Sequence, residues 1–121
     1  MTNSIQTHFA TNYNASRHQI QLDSFMNDHI RDTHFSQTRP DVSKSYFNVS
    51  EREVKELIRN AWLYGTYCEN LSDYKKIVFE YNHSEIVGRK GNTDHETSKV
   101  RVVASYNVKA MKAYLETAHP C

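Results

Sequence analysis

The chain has 121 residues, 15 Lys and Arg against 14 Asp and Glu, and hydrophobic side chains at 38% of positions. One ordinary domain with a small core under a polar surface excludes a multidomain assembly, and a net charge of +1 excludes steering of an anion by bulk charge. No apolar run reaches the roughly 18 residues of a membrane span, and two cysteines, Cys68 and Cys121, exclude a disulfide scaffold.

What the composition leaves to be explained is a surplus of seven His and eight Tyr beside three Gly and two Pro. The N-terminal segment lacks the basic end and apolar run of a signal peptide, so the Asn-x-Ser sequons at Asn14, Asn48, Asn70 and Asn82 carry no weight. The chain is expected to be soluble. Residues 1–15 are polar, without a sustained period, and are expected to form a flexible arm or linker, leaving 16–121 as a single domain.

Ser16 followed by Gln19 fits a capping box, and Leu22, Phe25, Met26, His29 and Ile30 recur at helical spacing. This pattern predicts an amphipathic helix of about fifteen residues with His29 on its buried stripe. Between Thr33 and Asn48, Arg39-Pro40-Asp41 and scattered serines read as a loop with a turn at Pro40. Ser50 and Glu53 make a second capping box; Val54, Leu57, Ile58, Ala61 and Trp62 share one helical face, and Gly65 stands where that helix should stop. After a polar link from Asn70 to Asp73 the apolar period shortens from helical to alternating. Lys76 to Tyr81 and Glu85 to Gly88 read as strands separated by Asn82-His83, Arg89 to Glu96 as an exposed loop, and Lys99 to Ser105 as a strong strand. The last segment has two readings, since Val108, Met111, Lys112 and Leu115 fit a helix while Tyr114 to His119 alternate as a strand. The strand is preferred, antiparallel to Lys99–Ser105 through a turn near Asn107. The fold class expected is α+β, with N-terminal helices packed on a C-terminal antiparallel β-sheet.

The histidine spacings do not favour zinc. His29 and His34 have four residues between them, beside isolated His8, His18, His83 and His95, with no cysteine pair, so neither a metal nor a cofactor is expected. Gly88-Arg89-Lys90-Gly91 is too short for a Walker motif, although its basic side chains can face a phosphate backbone. What remains is imidazole acid–base chemistry. Two histidines can pass protons near neutral pH without a metal, because the unperturbed imidazole pKa is about 6.5. In RNA cleavage one takes the proton of a 2′-hydroxyl, whose oxygen attacks the neighbouring phosphorus. The other protonates the departing 5′-oxygen, leaving a 2′,3′-cyclic phosphate, while cations and hydroxyls stabilise the phosphoryl charge. On the strand reading Thr117 and His119 project from one face, and Lys99 and Arg101 share one face of the neighbouring strand. The plainer readings are a hydrogen-bonded core histidine for His29, a solvated end residue for His119, a wet strand face for Lys99 and Arg101, and an ordinary charged loop for Arg89 and Lys90.

The order of segments adds a resemblance. Asp28-His29-Ile30-Arg31-Asp32-Thr33-His34-Phe35 precedes a capped helix, then Ile86-Val87-Gly88, then Thr97-Ser98-Lys99-Val100-Arg101-Val102-Val103, and finally Thr117-Ala118-His119-Pro120. This resembles the C-terminal ribonuclease domains of bacterial polymorphic toxins, including those of contact-dependent growth inhibition systems. Two related pictures compete, the ribonuclease-A-like toxin domain and the barnase, EndoU, colicin and RelE group. Both imply helices ahead of an antiparallel sheet, metal-independent RNA cleavage and a cognate immunity protein. The resemblance maps the family's early histidine to His29 or His34 and its closing hydroxyl to Thr117. Where these families often carry an Arg-His pair, this chain has Thr33-His34, which makes Arg31 the nearest replacement; where they often end in Thr-Ala-Tyr-Pro, it has His119 in place of the tyrosine.

The expectation is an RNA-cleaving toxin domain, with tRNA as a candidate substrate, in which His29 and His119 exchange protons in either order and His34 stands in reserve. Arg31, Lys99, Arg101 and Thr117 would bind or stabilise the phosphate, with Ser98 and Lys90 as further contacts. Such a domain would be delivered from a secreted or cell-surface parent and act in the target-cell cytoplasm. A non-catalytic binding module, such as an immunity or adaptor protein, is the alternative. The net charge requires the basic groups of an RNA-binding chain to gather on one sheet face and its flanking loop, with Glu51, Glu53 and Glu56 elsewhere.

Overall fold

The computed structural model describes residues 20–35, 43–72, 76–107, 110 and 112–121. The arm over 1–15, the Ser16 capping box and the turn at Pro40 lie outside those residues. In chain order the elements are β1 (Gln21–Leu22), α1 (Asp28–Thr33), β2 (Tyr46–Phe47), α2 (Glu51–Tyr64), β3 (Thr66–Tyr67), β4 (Ile77–Asn82), β5 (Gly88–Arg89), β6 (Glu96–Thr97), β7 (Lys99–Asn107) and β8 (Lys112–Pro120).

The long first helix is replaced by something shorter. Gln21 and Leu22 pair in parallel with Lys112 and Ala113, and the helix occupies only the six residues of α1. The reason is local competition for backbone groups. The Asp23 carboxylate accepts from Leu115 N at 2.9 Å, and the Asn27 Oδ1 accepts from Ile30 N at 3.0 Å, so polar side chains keep the chain out of a helix until Asn27 caps α1. Leu22, Met26 and Ile30 are buried as the stripe required, but His29 is exposed and not on a buried face.

Helix α2 forms as the sequence requires. Ser50 Oγ accepts from Glu53 N at 3.2 Å, and Val54, Leu57, Ile58, Ala61 and Trp62 are buried. Gly65 ends it in extended backbone, where a Cβ would collide with the Ala61 and Glu80 carbonyls. The apolar face of α2 packs on β4 and β7, with Trp62 edge-on to Phe79 at 5.4 Å between ring centroids.

The fold is α+β and mostly sheet. One sheet runs β1-β8-β7-β4-β3 and a second runs β2-β5-β6. The preferred strand reading of the C-terminus holds, since β8 pairs antiparallel to β7 from Asn107↔Lys112 to Val100↔Pro120. Two expectations are corrected. The main sheet is mixed, because β1 joins parallel to β8, and of the segment read as a strand, Glu85 to Gly88, only Gly88 lies in one, β5, which is paired with β2 and β6. Arg89 to Glu96, read as a loop, is the turn of that small sheet over 90–95, with Arg89 and Glu96 themselves paired at its base.

The register of β8 has one irregularity, and it positions the site. Val103 pairs with Thr117 but Ala104 pairs with Leu115, so Glu116 is an extra residue opposite no partner. The alternation therefore inverts there. Ala113 and Leu115 face the core before the bulge and Ala118 and Pro120 after it, which turns Thr117 and His119 onto the opposite sheet face.

Candidate active site

Three imidazoles meet where α1 ends against β8. The rings of His29 and His34 lie edge to face with centroids 5.2 Å apart, and those of His34 and His119 are 5.3 Å apart at 32°. Six residues of helix suffice for the first pair, because His29 sits in its first turn and His34 is its C-cap. A pocket of about 290 Å³ opens beside them, lined by all three rings, Thr117 and the segment Ser43, Lys44 and Ser45.

The hydrogen bonds determine which ring nitrogen is available. His34 Nδ1 lies 2.7 Å from Ser45 O and His119 Nδ1 lies 2.8 Å from Pro120 O. A carbonyl oxygen only accepts, so each Nδ1 carries the proton and each neutral ring keeps a lone pair on Nε2. His34 is 6% exposed, and burial pushes its pKa down to about 4 against the support of the Ser45 carbonyl, with the charges of His119, His29 and Lys44 lowering it further. His119 is half-buried and also held below the ordinary imidazole range, first by burial. Thr117 Oγ1 is buried with no hydrogen-bond partner among the described residues, an unused polar group at the pocket wall.

Lys44 is the residue that sequence reasoning missed. It lines the pocket, is exposed, and has no ion-pair partner among the described residues. No periodicity marks a lysine in a loop, and it reaches the site because the small sheet holds its segment there. Gly91 allows that approach: a Cβ on it would overlap the Ser43 carbonyl, and one on Gly88 would overlap Tyr46 O and press on Pro120. The Gly88–Gly91 stretch thus packs against the backbone beside the site.

The remaining expected residues are placed differently. Arg101 and Lys99 do share the face of His119, and Arg101 is its register partner, but both are tied to Glu80, Arg101 at 2.7 Å and Lys99 at 3.7 Å. A carboxylate sits in the middle of the face expected to be basic. Arg31 turns away from the pocket to Glu51 at 2.6 Å and Asp28 at 3.2 Å, joining α1 to the start of α2. Ser98 donates to Asn82 Oδ1 at 2.7 Å, and Lys90 is exposed at the turn after β5; neither lines the pocket.

Among the described residues no group of three or more His, Cys, Asp or Glu is placed to hold a metal ion, and no helix is long and apolar enough to cross a membrane. A second cavity of about 250 Å³ lies between α2 and the β4–β5 connection, with Leu57 and Ile86 in its wall and Glu53, Glu56 and Glu85 around it. Its carboxylates disfavour a polyanion. Comparison with protein-family models, with curated proteins and with solved structures finds no match.

Proposed function

We propose that the chain is a metal-independent ribonuclease, the RNA-cleaving domain of a toxin that acts in a target-cell cytoplasm and is neutralised by a cognate immunity protein. The observation that carries the reading is the pocket itself, in which His29, His34 and His119 surround one space with an unpartnered Thr117 hydroxyl and the Lys44 ammonium. These are the groups that cleavage through a 2′,3′-cyclic phosphate needs.

The hydrogen bonds favour one direction for the protons. His119, with Nδ1–H committed to Pro120 O, takes the 2′-hydroxyl proton on Nε2. The 2′-oxygen bonds to phosphorus and the bond from phosphorus to the 5′-oxygen breaks. Exposed His29 gives that oxygen its proton, and exchange with water then takes the proton from His119 and restores one to His29. His34, neutral above about pH 4, is unsuited to act as the acid and accepts a hydrogen bond between the other two. Thr117 donates to a phosphoryl oxygen, and Lys44 supplies the positive charge that Arg101 and Lys99 share with Glu80.

Cleavage of total RNA and of purified tRNA in EDTA tests the reading. Fragments ending in 2′,3′-cyclic phosphate are expected at undiminished rate, and induction of the chain should arrest growth. Loss of activity in chelator, or fragments ending in a 3′-hydroxyl, would overturn it, and harmless accumulation without cleavage would favour a binding module.

Lys44→Ala has its own expected result. Removing one charge-assisted contact to phosphate should lower kcat/KM by about 10- to 100-fold and reduce the slope of log affinity against log salt by about one, with the melting curve unchanged because Lys44 is exposed. An unchanged salt slope would remove Lys44 from the phosphate site.

A further inference from the structure

We infer that Asn27 is the positioning residue that sets the helix-borne histidines against the strand-borne His119 and Thr117, through one side-chain amide shared by the α1 N-terminus and the Glu116 bulge. The inference rests on the histidine pocket being the reactive site, but its first test reads imidazole rings and not RNA.

The two halves of the pocket come from elements far apart in the chain. His29 and His34 ride on α1, whereas Thr117 and His119 follow the bulge in β8. Asn27 touches both. Its Oδ1 accepts from Ile30 N at 3.0 Å and caps α1, while its Nδ2 donates to Leu115 O at 3.0 Å and to Glu116 O at 3.1 Å. The two carbonyls belong to the residues at which the alternation of β8 inverts. One planar group therefore determines where α1 begins and holds the backbone that turns Thr117 and His119 toward it.

The residue type matches both tasks. A helix cap needs only an acceptor, which Ser or Asp supplies equally well. Spanning to two carbonyls needs donors on the far side of the same group, and among the usual capping side chains only the amide of Asn provides them. Asp23 completes the clamp from below by accepting from Leu115 N at 2.9 Å.

Asn27→Asp separates the tasks, because the carboxylate keeps the cap acceptor but sets an oxygen against Leu115 O and Glu116 O. In ¹⁵N and ¹H spectra of the full chain, the ring signals of His34 and His119 should move from their wild-type positions. In RNA cleavage kcat should fall about 100-fold with KM changed less than about threefold, the signature of misplaced groups. Ser50→Ala is the control for a merely structural role, since it removes the cap of α2 away from the pocket and should lower the melting temperature while leaving ring signals and kcat at wild type. Wild-type ring signals and kcat in Asn27→Asp would overturn the inference. Should that variant fail to fold, Asn27→Ser, whose hydroxyl caps α1 but is too short to span to β8, gives the same decision: displaced ring signals support the inference and unmoved ones overturn it. If the wild-type chain cleaves no RNA, the ribonuclease reading fails and the ring signals alone decide this one.

Discussion

His119→Ala should lower the rate of RNA cleavage by about 10²- to 10⁴-fold, the range for losing a general base or acid, and His29→Ala should do the same. The fold should survive both changes, because His29 is exposed and His119 stands on the sheet face opposite the core. The pH dependence separates the roles. A base must be unprotonated to act, and burial holds His119 below the ordinary imidazole range, so the acid limb of kcat/KM in the wild-type chain should fall below pH 6.5. In His119→Ala that limb should vanish from the residual activity. If His34→Gln removes the limb and His119→Ala leaves it, the base is His34 and the direction of proton flow proposed above is wrong.

The second large effect is on stability. His34 titrates at about 4 in the folded chain and at its ordinary value of 6.5 when unfolded, so between these pH values the unfolded chain binds the extra proton. Stability is therefore full above pH 6.5 and declines as pH falls toward 4, where the loss from this one buried ring amounts to about 3 kcal/mol. His119, shifted in the same direction, adds to the decline. Glu51, held below its ordinary carboxylate range first by the hydrogen bond from Arg31, loses its contribution only at lower pH, so the two regimes separate. Urea denaturation of the wild type and of His34→Gln at pH 7 and pH 4.5 measures the effect. The variant should lose clearly less stability between the two than the wild type does, and parallel losses would show that His34 is not the group responsible.

How far the sequence could be read depended on how local the signal was. Helix α2 was legible because its cap, its apolar stripe and its terminal Gly65 all fall within a few turns and agree. β7 was legible for the same reason, and β8 once the alternating reading was preferred. The first helix is shorter than its apolar pattern predicts because Leu22, Met26 and Ile30 are buried with or without a continuous helix, so the pattern does not distinguish the two. What decided it was a set of side-chain bonds between Asp23 and Asn27 and β8, about ninety residues away. The two-residue strands β2, β3, β5 and β6 are too short to show a period at all.

The site divides along the same line. From sequence alone, the residue types were determined: histidines for proton transfer, Thr117 two positions before His119 on one face, and Lys99 with Arg101 on one face of the neighbouring strand. Only the tertiary structure decided which of them meet. It brought His34 between His29 and His119, gave Lys44 a place beside them, and spent Arg101 and Lys99 on Glu80 and Arg31 on Glu51. It also decided the face. A two-residue spacing fixes that Thr117 and His119 point the same way but not which way, and an unbroken alternation from Leu115 would have sent both into the core. The single unpaired residue at Glu116 inverts that alternation, and a bulge is a property of two strands in register, which no pattern in one of them records.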